Sequence, residues 1–180
     1  MHVDVDETRL DDPAALADAD PAGMLRAVAS SGAQVRRAVV AAQEAGVARL
    51  AEDGRPRAVA VAGVGVNGVA GEVLAAVAGS GCPVPIVTCR GYRLPGWVGP
   101  MDLVVVASEE GAGEETLGCA EQAVQRGCRM LVVTAAGSPL ADLAERGRGV
   151  LVPTEAGDWA VAPPAAAAPE TAAVESAAVE

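Results

Sequence analysis

The sequence has no phenylalanine and no lysine, and it contains a single histidine. Without lysine, a P-loop with its phosphate-reaching lysine, Schiff-base chemistry and serine–lysine catalysis are excluded. His2 lies at a terminus, where residues are often poorly ordered, so triads and zinc sites that need histidine are excluded within this chain. No metal is expected. Aromatic residues make up only 2% of the chain, so alanine, valine and leucine must build the core.

Basic residues are also scarce, and the charge is unevenly placed. The net charge is −11, and the acidic excess lies in residues 1–20 and 155–180, whereas residues 21–154 hold equal numbers of acids and arginines. With no basic stripe to release counterions, neither nucleic acid nor an anionic membrane is an expected partner. We predict an acidic N-terminal arm at 1–12, one domain at 13–153, and a disordered tail rich in alanine, proline and glutamate at 154–180.

The four cysteines, Cys82, Cys89, Cys119 and Cys128, show no C-x-x-C spacing. Several lie in or beside apolar segments, which predicts buried, reduced thiols rather than a disulfide framework. The acidic start does not resemble a signal peptide, and the apolar stretch 58–79 is interrupted by Asn67, Glu72 and five glycines, so we reject it as a membrane span. We expect a cytoplasmic protein.

Short apolar runs alternate with helical patterns along most of the chain. Asp12-Pro13 and Asp20-Pro21 resemble helix starts and predict helices at 13–19 and 21–30, with a longer helix at 32–52. Five strands are predicted near 57–62, 85–89, 102–107, 130–134 and 149–152, with helices at 68–79, 113–127 and 138–146 between them. This order predicts an α/β fold, a three-layer αβα sandwich with a five-stranded parallel sheet preceded by N-terminal helices.

Three polar or glycine-rich loops follow predicted strands and open helices, at 63–68, 108–116 and 134–138. In open parallel sheets ligands bind beyond the carboxyl ends of the strands, where helix N-termini can hold an anion. The first loop matches G-x-G-x-x-G, the dinucleotide fingerprint, but the region some 20 residues on carries Arg90 instead of the acid that binds ribose. An NADP-binding Rossmann-like domain is therefore a lesser alternative. A purely structural interpretation is that these glycines only allow close packing of the helix on the strand.

Several of these segments together resemble a known family. They are Gly63–Val73, the R-G-Y-x-L-P-x-W-V run 90–98, the loop at 108–117 ending in E-E-T-L, Arg126-Gly127 and the segment 134–140. In this order they resemble the first SIS (sugar isomerase) domain of bifunctional phosphoglucose/phosphomannose isomerases, over roughly residues 10–153. The R-G-Y-x-L-P loop combined with E-E-T-L is the more specific part.

The resemblance implies a fold, a ligand and a reaction. The fold is a five-stranded parallel sheet between helices, and the ligand is a phosphorylated hexose whose phosphate is held by the loops after the first and third strands. The reaction is cofactor-free aldose–ketose isomerisation through an enediol, normally in a dimer of two-domain subunits. The candidate ligand-binding residues are Gly65, Val66, Asn67, Ser108, Glu110, Gly111, Gly113 and Arg90.

The sequence departs from the family at these loops. Val66-Asn67 stands where the family has glycine and serine, Glu110 replaces a serine, and Gly113 replaces a threonine. Pro153 is not followed by the family's arginine, and the base and histidine of the second domain have no counterpart here. We therefore interpret the chain as a degenerate or partial SIS domain that binds a phosphosugar weakly or acts as a regulatory or interaction module, and assign no catalytic residue. An active isomerase half completed by another subunit is the alternative, and a homodimer or partner subunit is expected.

Two further alternatives stay open. Arg90, Tyr92, Arg93 and Trp97 line either a sugar pocket or a dimer contact, or they belong to a loop packed over the sheet edge. Ser108 contacts the ligand or caps the helix.

Overall fold

The computed structural model describes residues 11–154. Most of the predicted acidic arm and of the predicted tail therefore lies outside the described residues. A compact unit begins at Ala33, and the residues before it belong to a separate unit.

The N-terminal helices begin and end at polar caps and glycines. Helix α1 spans Pro13–Ala19, and the Asp12 carboxylate accepts hydrogen bonds from the backbone N–H groups of Ala14 and Ala15, as predicted. Helix α2 spans Met24–Glu44 without a break, so the prediction of separate helices at 21–30 and 32–52 is wrong.

Two local interactions explain the difference. Asp20 accepts from the N–H groups of Met24 and Leu25 at 2.7 Å each, which starts α2 later than the proline indicated. At the other end Gly46 has a φ of +74°, and the Val47 N–H donates to the Ala42 carbonyl. This arrangement is a Schellman closure. Helix α3 is the short segment Arg49–Glu52.

The predicted parallel sheet is confirmed. Its strands are β1 (Val59–Ala62), β2 (Ile86–Cys89), β3 (Leu103–Ala107), β4 (Arg129–Ala135) and β5 (Val150–Thr154). They are all parallel and lie in the order β2-β1-β3-β4-β5. Helices α4 (Val66–Ala78), α5 (Glu114–Gln125) and α6 (Pro139–Arg146) connect β1 to β2, β3 to β4 and β4 to β5. Strand β5 includes Thr154, one residue beyond the predicted domain end.

The two faces of the sheet are covered differently. Because strand residues alternate between faces, one set from β1, β3 and β4 faces α5 and α6 in a fully buried core. The members are Ala60, Ala62, Val104, Val106, Met130 and Val132 on the strands, with Cys119, Ala120, Ala123, Leu140, Leu143 and Ala144 on the helices. Val61 faces the opposite side, toward α4, whose own buried residues are Gly68 and Gly71.

The crossover from β2 to β3 contains no helix and packs on the α5 side. Leu94 and Val98 from this segment, residues 90–101, belong to the core. Its last part is fixed by the fully buried Asp102, which accepts two hydrogen bonds from Arg57 and one from the Gly99 N–H. The Arg57 guanidinium also donates to the Trp97 carbonyl and lies 5.9 Å from the Trp97 ring centre.

Candidate functional site

The first loop, residues 63–68, joins β1 to α4 in a tight turn that only glycine fits. A Cβ on Gly63 would lie 2.6 Å from the Asn67 carbonyl oxygen, and Gly65, at the N-cap position, has a φ of +60°. No side chain caps this helix. The Gly68 N–H, in the first turn, donates to the Gly65 carbonyl at 3.1 Å. Among the candidate residues here Val66 is exposed, and Asn67 is half-buried.

Arg90 lies beside this first loop. It directly follows β2, and a Cβ on Gly68 would come within 3.5 Å of its Nε. Its guanidinium donates to the Glu72 carboxylate on α4, and both side chains are more than half exposed. Arg90 therefore brings a positive charge to the first turn of α4, and Glu72 offsets part of it. No sequence pattern indicated that Arg90 would pair with Glu72, which lies 18 residues earlier.

The second loop, residues 108–113, joins β3 to α5 and is held by its own hydrogen bonds. The Ser108 hydroxyl accepts from the Gly111 N–H at 3.1 Å, which closes the loop. An accepting hydroxyl keeps its own proton, so Ser108 can still donate to a ligand oxygen. Helix α5 begins after Gly113 without a side-chain cap, and Glu110 and Gly113 are exposed.

A third loop fixes the second from behind. Gly111 is buried with a φ of +65°, and a Cβ there would collide with the hydroxyls of Ser138 and Thr134. Its carbonyl accepts from the Leu140 N–H at 3.0 Å. Thr134 and Ser138 are themselves buried and lie 3.3 Å apart through their hydroxyl oxygens. The hydroxyls of this loop thus support the second loop, and Ser138 also caps α6 by accepting from the Ala141 N–H.

The loops lie side by side because their strands do. Ala62 is the register partner of Val106, so the first and second loops leave neighbouring strand ends. The candidates Gly65, Val66 and Asn67 belong to the first of these loops, and Ser108, Glu110, Gly111 and Gly113 belong to the second. Arg90 adjoins the first loop through Gly68.

The segment after Arg90 packs on α5. The Gly91 carbonyl accepts from the Cys119 thiol, and the Tyr92 carbonyl accepts from the Gln122 side chain. Arg126 donates to the carbonyls of Leu94, Pro95 and Val98. The sequence marked Arg126 only as part of the family resemblance, whereas the structure shows that it fastens the crossover.

The glutamates in the first turn of α5 change the pKa of the Tyr92 side chain. A hydrogen bond with Glu115 raises the pKa of the exposed Tyr92, and the charges of Glu115 and Glu114 add to this effect. The Tyr92 hydroxyl therefore donates to Glu115 in the first turn of α5.

The cysteines are free within the described residues, as predicted. Cys89, Cys119 and Cys128 are buried, and Cys82 is half-buried. Burial raises the pKa of Cys119 to about 11, and neighbouring Cys89 contributes. Burial likewise raises the pKa values of Cys89 and Cys128, so none of these three is an activated thiolate.

Across residues 11–154, no helix is long and apolar enough to cross a bilayer.

Two curated proteins are similar to part of this chain. A bifunctional phosphoglucose/phosphomannose isomerase from Caldicellulosiruptor bescii is 31% identical over 88 residues, which are 49% of this chain and 26% of that protein. A protein of the same name from Thermoplasma acidophilum is 29% identical over 79 residues, or 44% of this chain and 24% of that one. The chain thus matches about a quarter of the length of each relative. No family model matches it.

Proposed function

We propose that this chain is a cytoplasmic, SIS-like sugar-phosphate-binding module related to phosphoglucose/phosphomannose isomerases, with weakened affinity and no complete isomerase site. The ligand class is a hexose 6-phosphate, and no cofactor is needed. The observation that carries the proposal is a contrast between helix starts. Helices α1 and α6 are capped by Asp12 and Ser138, whereas α4 and α5, at the two neighbouring loops, begin at glycines without a side-chain cap.

Uncapped helix N-termini attract phosphate because their N–H groups and the helix dipole favour an anion. In this proposal Ser108 of the second loop adds a hydroxyl, and Arg90 beside the first loop adds a cation that Glu72 partly neutralises. The similarity to the two isomerases supports a sugar phosphate over other anions.

Glu110 is the residue that we hold responsible for weak binding. In water-exposed surroundings a carboxylate about 4 Å from a phosphate costs between roughly 1 and 4 kcal/mol, depending on the local dielectric. Glu110 is exposed, which places the penalty toward the lower end. Turnover would also need a positioned general base, and we assign that role to none of the residues in these loops.

Restoring the hydroxyl at this position tests the proposal. We expect Glu110→Ser to tighten the binding of fructose 6-phosphate, measured by calorimetry, by roughly fivefold or more. Glu109→Ser, at the neighbouring exposed acid, is the matched control and should change the affinity much less. Equal effects of the two variants, or no binding by either, would contradict the phosphate site. Robust interconversion of hexose phosphates by the purified chain would contradict the loss of activity.

A second candidate function is an active isomerase whose remaining catalytic groups come from another subunit. The observation that favours it is that the matched segment makes up about a quarter of each relative. Activity that appears only when a copurifying subunit is added back would support this candidate, and a native complex containing only this chain would count against it.

Dinucleotide binding at the first loop remains a prediction. It requires NADP(H) fluorescence changes that Gly65→Val abolishes.

A further inference from the structure

We propose that Glu72 limits the affinity of the candidate phosphate site by holding Arg90 in an ion pair that the phosphate must displace. This inference rests on the proposed function, because Glu72 can limit affinity only if a phosphate binds beside the first loop. Arg90 is then the cation that meets the phosphate, and Glu72 is a positioning residue that acts through it.

The backbone places Arg90 at the first loop. Cys89 is the register partner of Ala62, so β1 and β2 end at the same level, and the Gly63 N–H donates to the Cys89 carbonyl at 3.4 Å. Arg90 therefore leaves the sheet directly beside the loop that opens α4. Because its backbone is tied to the sheet there, the guanidinium changes its partner by rotation of the side chain.

The small size of Gly68 lets the guanidinium approach the first turn of α4. A Cβ at Gly68 would lie 3.5 Å from the Arg90 Nε and 2.9 Å from the Gly63 carbonyl oxygen. Glu72 lies four residues further along α4, on the same face of the helix, and its carboxylate accepts from the Arg90 Nη2. Arg90 thus lies between the first turn, where the proposed phosphate binds, and a carboxylate one turn away.

A phosphate can open this ion pair. The side chains of Arg90 and Glu72 are 53% and 62% exposed, and exposed pairs contribute little because water and salt screen them. A phosphate monoester carries a charge of about −1.5 to −2 at neutral pH, and arginine can bind it through two parallel N–H bonds. The phosphate therefore competes well for Arg90, but it binds less tightly than it would to an arginine without a partner.

Glu72 is the natural position at which to relieve this competition. It alone among the residues of α4 carries a charge. Replacing it with glutamine therefore removes the carboxylate that this helix presents to Arg90 and keeps the size of the side chain.

The Glu72→Gln variant provides the test, with calorimetry of the full chain and fructose 6-phosphate as the readout. We expect it to tighten binding by roughly threefold, because Arg90 no longer has a competing carboxylate. Glu121→Gln is the matched control, since it removes the same charge from an exposed position on α5, against the other face of the sheet. The control should change the affinity by less than roughly 1.5-fold. Both positions are exposed, so circular dichroism should show the native fold for each variant.

A double-mutant cycle shows whether Glu72 acts through Arg90. We expect Arg90→Gln to weaken binding by roughly tenfold, and Glu72→Gln to tighten it by less than roughly 1.5-fold once Arg90 is replaced. Each variant is made in the wild-type chain and in Glu110→Ser, whose tighter binding keeps the weaker variants measurable.

Two outcomes would overturn this inference and leave the proposed function intact. In the first, the chain binds fructose 6-phosphate, but Glu72→Gln and Glu121→Gln change the affinity equally. In the second, Glu72→Gln tightens binding as much without Arg90 as with it. Absence of binding by the wild-type chain and by Glu110→Ser alike would instead contradict the phosphate site itself, and this inference with it.

Discussion

Helices α4 and α5 follow neighbouring strands of one sheet and begin at equivalent uncapped loops, yet they pack in opposite ways. Helix α5 buries Thr116, Cys119, Ala120 and Ala123 and turns glutamates and glutamines outward, whereas α4 buries two glycines and turns its valines outward. Polar side chains also stabilise the α5 side. Arg126 and Asp102 form hydrogen bonds with the crossover, and the hydroxyls of Ser138 and Thr134 pack against Gly111 of the second loop. Equivalent positions in a repeating βα pattern therefore need not have equivalent partners.

The largest effect is expected where the second loop meets the third. Gly111→Ala places a methyl group against two buried hydroxyls and forces a non-glycine residue to a φ of +65°. We expect the free energy of unfolding to fall by about 3 kcal/mol or more, measured by urea denaturation. Gly137→Ala is the control, since its φ is +73° but nothing lies within 4 Å of the added Cβ, and it should cost only about 1 kcal/mol. Similar losses would show that backbone strain alone, and not the lock between the loops, matters here.

The polar anchor at the base of the crossover should have the next largest effect. Hydrogen bonding from Arg57 lowers the pKa of Asp102, helped by backbone N–H groups and opposed by burial. We expect Asp102→Asn to cost about 2 kcal/mol at neutral pH, because a buried carboxylate with several donors is replaced.

The same anchor should give this side of the molecule an acid sensitivity. A carboxyl whose folded-state pKa is lowered stabilises the fold above its unfolded pKa of about 3.9 and loses that contribution as the pH falls through the folded value. The difference in the free energy of unfolding between wild type and Asp102→Asn should therefore become smaller below about pH 4. A gap that stays constant from pH 7 to pH 3 would mean that the ion pair contributes little.

Inside and outside positions of α4 should respond differently to substitution. A Cβ at Gly71 would lie 2.5 Å from the Thr88 hydroxyl oxygen and 3.1 Å from the Val61 Cβ. We expect Gly71→Ala to cost roughly 1 to 2 kcal/mol even after the gain in helix propensity. Val77→Ala, on the exposed face, should change the stability of dilute protein by less than about 0.5 kcal/mol. A neutral Gly71→Ala would show that α4 is not held close to the sheet.

Thiol labelling compares the α4 side of the sheet with the α5 side and needs no substitution. Half-buried Cys82 follows α4, whereas Cys119 is buried on α5 with its pKa raised to about 11 by burial and by Cys89. We expect iodoacetamide at pH 8 to modify Cys82 at least roughly tenfold faster than Cys119, as read by peptide mass spectrometry. Equal rates would indicate that the α5 side opens as readily as the segment after α4.

The sheet could be predicted from the sequence because its signal is local. Short valine-rich runs between helical patterns indicate buried parallel strands, and all five were found within a few residues of their observed ends. The N-terminal helices were predicted less well. Ser30 and Ser31 lie where the two predicted helices meet, and their hydroxyls donate to the carbonyls of Ala27 and Val28 inside a continuous helix.

The supports of the candidate site could not be predicted, because they join residues far apart in sequence. Arg126 reaches carbonyls some 30 positions earlier, and Arg90 pairs with a glutamate on another element. The glycine loops, by contrast, were recognisable from composition. That one side of α4 is exposed was not predictable either, because a helix that is apolar on every side is normally buried on every side.

The close approach of α4 at Gly71 has a consequence for how this protein can vary. A Cβ at Gly71 would lie 2.5 Å from the Thr88 hydroxyl oxygen and 3.1 and 3.3 Å from the Cβ atoms of Val61 and Thr88, so rotation of the Thr88 side chain alone does not make room for a bulkier residue. The α5 layer interdigitates many side chains and can exchange one shape for another. We therefore expect substitutions to be tolerated less often where α4 packs on the sheet than where α5 does.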